Sequence, residues 1–62
     1  MRIGDIAVLD GRFMYGITDI KGDIVYGCLL KSDFTPANAS STMGEIVEFT
    51  RLGDVWVWNP SL

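Results

Sequence analysis

Sixty-two residues with a formal charge of −3, 48% apolar content, no histidine and a single cysteine leave room for one small domain spanning 1–62, held together without the usual staples. One cysteine forms no intrachain disulfide, and a chain without histidine offers no Cys/His zinc set. No stretch approaches 18 consecutive apolar residues, so a membrane span is excluded, and the opening Met1-Arg2-Ile3-Gly4-Asp5 lacks the long apolar segment of a signal peptide.

A chain this short buries only about 60% of the surface it exposes when unfolded. Three Phe, two Tyr and two Trp offset that, because large rings each remove much area from water. Seven glycines cut the chain into strand-length pieces, with β-branched and aromatic residues between them. The expectation is an all-β domain of five short strands at roughly 3–9, 12–20, 23–31, 45–50 and 55–58.

The first strand fits Asp5-Ile6-Ala7-Val8-Leu9, and Asp10-Gly11 follows as a turn dipeptide. It forms either a tight type I′ hairpin into Arg12-Phe13-Met14-Tyr15 or a looser loop. In the central hairpin, a two-residue turn at Lys21-Gly22 sets Ile17 opposite Tyr26, Tyr15 opposite Cys28 and Phe13 opposite Leu30. Period-two alternation then collects Phe13, Tyr15, Ile17, Ile24, Tyr26, Cys28 and Leu30 on one apolar face. The same register places Gly16 opposite Gly27, a facing pair that marks a bend or a close approach of other backbone.

Residues 32–44 break the strand pattern with Pro36 and a run of Asn, Ser and Thr, and a loop is expected there. Its Phe34 and Met43 are expected to fold back over one open end. Glu45 to Thr50 alternates again and Arg51-Leu52-Gly53-Asp54 turns. Val55-Trp56-Val57-Trp58 then returns, with Val47 and Phe49 sharing a face with the two tryptophans. Asn59-Pro60 ends that strand, since proline has no donor for a ladder.

Five short strands with one long bent hairpin resemble the SH3-like and Tudor-like small barrels. The opening Ile3-Gly4-Asp5-Ile6-Ala7-Val8 is similar to the first strand of such modules. The resemblance implies a five-stranded antiparallel barrel or strongly bent sheet. It licenses no function, because one such fold hosts many.

Acid–base and nucleophilic chemistry find little support. Histidine is absent, and Cys28 falls on the apolar face of the hairpin, where it reads as a packing residue. The aspartates cluster at turns, where they bond nearby amides. The glycines form no phosphate-binding motif. No enzyme activity and no cofactor are expected, and the lone cysteine fits a reducing, cytoplasmic compartment.

Aromatic residues carry the functional expectation. Trp56, Trp58, Tyr26, Tyr15 and Phe34 are the candidate protein-binding residues, because Trp and Tyr are typical interface anchors and the mixed second faces leave an apolar patch. The expected function is a noncatalytic protein-binding or regulatory module that uses this patch or an edge strand. One alternative is a nucleic-acid-binding small barrel, disfavoured by net acidity and by five bases scattered singly. Another is a structural or assembly subunit that forms a homo-oligomer.

Overall fold

The computed structural model describes residues 1–37 and 40–58. Six strands form one curled half-barrel sheet, with no α-helix among the described residues. They are β1 (Ile6–Leu9), β2 (Phe13–Lys21), β3 (Ile24–Leu29), β4 (Ser41–Glu45), β5 (Phe49–Leu52) and β6 (Val55–Trp58), and a 3₁₀ turn, Ile46–Glu48, joins β4 to β5. The order across the sheet is β4-β3-β2-β1-β6-β5. Every neighbouring pair is antiparallel except β1 with β6, which is parallel. The all-β class and barrel-like shape agree with expectation, but among the described residues there are six strands and one pairing is parallel.

The sixth strand arises where a loop was expected. Residues 41–44 of the 32–44 segment belong to β4, paired with β3 from Ser41↔Gly27 to Glu45↔Ile24. The strand expected over 45–50 is interrupted by the 3₁₀ turn. Val47 there is 82% exposed, while Ile46 packs on the core. Residues 38 and 39 of the loop, and the strand end at Asn59-Pro60, lie outside the described residues.

The tight-turn geometry at Asp10-Gly11 is the one adopted. Both residues have positive φ, 54° and 69°, and the Arg12 amide donates to the Leu9 carbonyl at 3.1 Å, the pattern of a type I′ turn.

The central hairpin differs from expectation by one residue at its tip. Lys21 pairs with Ile24, so the turn is Gly22-Asp23, not Lys21-Gly22. Gly22 takes φ +63° while Asp23 is not left-handed; a II′-type turn needs glycine at the first central position. A one-residue shift sends a whole strand to the other face. β3 therefore presents Val25, Gly27 and Leu29 inward, not Ile24, Tyr26 and Cys28.

β2 keeps Tyr15 and Ile17 inward because a bulge between Ile17 and Asp19 absorbs the shift. It also turns Ile20 inward, beside its partner Val25. Gly16 now pairs with Cys28 and Gly27 with Ile17, so the two glycines are not opposite each other. Gly27 is the tight position. A Cβ there would overlap the Met43 sulfur and lie 3.3 Å from the Gly16 carbonyl, whereas a Cβ at Gly16 would make ordinary contact with Leu30.

The core is Ala7, Ile17, Val25 and Phe49, with Met1, Ile20, Met43, Ile46, Trp56 and Trp58 packed around it. All strand members of this set share the inner face of the curl. Cys28 is also buried, but register places it on the outer face, outside that cluster.

Candidate functional site

Partners across a ladder share a face, so the inner surface can be read in rows. One row runs Arg51, Trp56, Ala7, Tyr15, Leu29 across β5, β6, β1, β2 and β3; the next runs Phe49, Trp58, Leu9, Phe13. Three of the five expected binding residues, Trp56, Trp58 and Tyr15, thus lie on one face. Tyr26 points to the other face, paired with Asp19, because of the shift at the hairpin tip. Phe34 lies in the turn after β3 and is 60% exposed.

Both tryptophans are half-buried and bonded within the chain. Trp56 Nε1 donates to Asp5 Oδ2 at 3.1 Å, tying β6 to the turn before β1. Trp58 Nε1 donates to Glu48 Oε2 at 2.9 Å, tying the same strand to the 3₁₀ turn. The Arg51 guanidinium lies 5.7 Å from the Trp56 ring centroid. A Trp body in apolar surroundings with its N–H satisfied is the arrangement that a small core favours. Asp5 and Glu48 were not foreseen in this role; each acceptor belongs to a turn whose position relative to β6 is set only by the folded chain.

These contacts lower both carboxyl pKa values. The Arg2 amide, at 2.9 Å, contributes most at Asp5 and the Trp56 indole next. At Glu48 the Glu45 amide, at 3.0 Å, leads and the Trp58 indole follows. A carboxylate whose folded pKa is depressed stabilises the fold above its unfolded pKa, and that contribution is lost as pH falls through the folded value.

The second face of the sheet is more apolar than a solvated wall. Its rows are Leu52, Val55, Ile6, Gly16, Cys28 and, beside it, Thr50, Val57, Val8, Met14, followed by Leu30, whose amide donates to the Met14 carbonyl at 2.8 Å. No charged residue occurs in either row. At the sheet margins β4 and β5 each pair on one side only among the described residues.

The bases do not gather. Arg12 lies over Phe13, Lys21 over Tyr26 and Arg51 over Trp56, three rings on three different strands. Among the described residues no pocket opens, no group of three or more acidic, cysteine or histidine residues is placed to hold a metal ion, and no helix is long and apolar enough to cross a membrane. No family model, curated protein or solved structure matches the chain.

Proposed function

We propose that the chain is a noncatalytic protein-binding module that accepts an extended segment of a partner protein along the edge of β5. The observation that carries this reading is the pairing of that edge with an uncharged apolar surface. β5 hydrogen-bonds only to β6 among the described strands, and Leu52, 59% exposed, begins the outer row that continues through Val55 and Ile6. Strand addition draws affinity from main-chain hydrogen bonds and specificity from alternate side chains on one face, and this edge supplies both.

The opposite margin is less suited. β4 ends in the charged Glu45 and has a register irregularity against β3 between Val25 and Tyr26, features that blunt an edge. A scattered set of bases also gives phosphate no continuous track, which favours a protein partner over nucleic acid.

The test is capture of partners from nuclease-treated lysate by the wild type and by a Leu52→Lys variant, each checked for folding by circular dichroism. One protein recovered near stoichiometry by the wild type and reduced at least about tenfold by Leu52→Lys is expected, since a charge on the apolar row opposes docking. Equal recovery by both proteins would remove β5 from the interface.

A further inference from the structure

We infer that the end of the sheet formed by the β1–β2 turn and the 31–35 turn is a self-association surface, its partner a second copy of this chain. This goes beyond the β5 reading and uses no residue of that edge.

Two phenylalanines are exposed there. Phe13 opens β2, pairs with Leu9 and is 43% exposed; Phe34 is 60% exposed. The Leu30 amide on the Met14 carbonyl brings the turn after β3 past this end of β2, so both rings belong to one end of the molecule. Phe34 does not fold back to cover the barrel.

The turn that holds Phe34 is fixed in a costly conformation. Phe34 has φ +66°, a left-handed backbone that a residue with a Cβ adopts at an energetic penalty. Four hydrogen bonds hold it: Lys31 N to Thr35 O and Phe34 N to Lys31 O, both 2.9 Å, and Thr35 Oγ1 and N to Asp33 Oδ1 at 2.6 and 3.1 Å. A bulky ring is therefore preorganised in an exposed position without reaching the central core cluster. Preorganised, exposed aromatics cut the ordering cost of association.

Charge selects the second copy as occupant. The two turns at this end carry Asp10, Arg12, Lys31 and Asp33, two acids and two bases, so they sum to zero. The chain as a whole is −3, so all of the net charge resides elsewhere. Two copies meeting here bring no net charge into the contact and keep their acidic surfaces apart, where salt screens them. A two-fold axis can set the bases of one copy against the acids of the other. Phe13 and Phe34 then form the apolar centre within a charged rim.

Sedimentation equilibrium of the full chain at increasing concentration tests this, with Phe34→Ser and Leu52→Lys alongside. The wild type should dimerise, Phe34→Ser should weaken the dimer at least about tenfold while keeping the wild-type circular dichroism spectrum, and Leu52→Lys should leave it unchanged. A wild type that stays monomeric to about 1 mM, or a dimer equally tight in Phe34→Ser, would overturn the inference. If Phe34→Ser loses the native spectrum, Arg12→Glu replaces it: weakening supports the surface, and unaltered dimerisation rejects it.

Discussion

The tryptophans of β6 and the phenylalanines at the β1–β2 end belong to the same residue class, yet the fold treats them in opposite ways. Trp56 and Trp58 pack on the core and give their N–H groups to Asp5 and Glu48. Phe13 and Phe34 have no polar handle to satisfy and remain exposed. Residue type and pattern mark Trp56, Trp58 and Phe34 as candidate anchors and Phe13 as a member of the apolar face. What separates them is how far the chain already covers the ring, so truncating the covered pair should cost more stability than truncating the exposed pair.

The largest expected effect is therefore at Trp58. It packs with Phe49, its direct partner on β5, and its removal leaves a cavity that the short flanking strands can only partly close. Trp58→Ala should destabilise by about 3 kcal/mol, read as a lower urea midpoint with an unchanged slope. A shift under about 0.5 kcal/mol would place Trp58 with the exposed aromatics and erase the contrast.

The two glycines of the central hairpin draw the same contrast between an occupied inner face and an open outer one. Gly27 has the Met43 sulfur seated over it, whereas a methyl group added at Gly16 would find the Leu30 side-chain carbons no nearer than 3.7 Å. Gly27→Ala should cost about 1–3 kcal/mol through overpacking. Gly16→Ala should lie within about 0.5 kcal/mol of wild type, because the lost unfolded-state freedom offsets any small crowding. Equal costs at the two positions would mean that the hairpin register differs from the one described.

That register is also where reading the sequence stops short. Glycine spacing and β-branched content locate β1, β2, β3 and β6 because strand composition is local. The hairpin tip is not local in that sense: Lys21-Gly22 and Gly22-Asp23 both contain the required glycine, and choosing between them inverts all of β3. The choice exchanges Val25 for Tyr26 in the core and moves Tyr26 away from Trp56, Trp58 and Tyr15. β4 is not legible because Ser41 and Gly44 have weak strand preference and Thr42 and Met43 follow a run of Pro, Asn and Ser that reads as loop; pairing with β3 supplies what the local composition lacks. The indole acceptors were hidden for a related reason, since Asp5 is 51 residues from Trp56 and only the parallel β1–β6 pairing brings them together.

The smallest expected effect belongs to Phe34, and it is the most discriminating. Phe34 sits at φ +66° with most of its ring in water, so replacing it by glycine removes backbone strain and little packing. Left-handed strain at a residue with a Cβ is worth about 1–2 kcal/mol, against about 0.5–1 kcal/mol for the extra flexibility glycine brings to the unfolded chain. At a protein concentration low enough to keep the chain monomeric, so that association adds nothing to the measured stability, Phe34→Gly should leave the stability read from urea unfolding unchanged or raise it by up to about 1 kcal/mol. A clear loss of stability would show that the ring is covered within the monomer, which would join Phe34 to the tryptophans and take away the reason to assign it a partner.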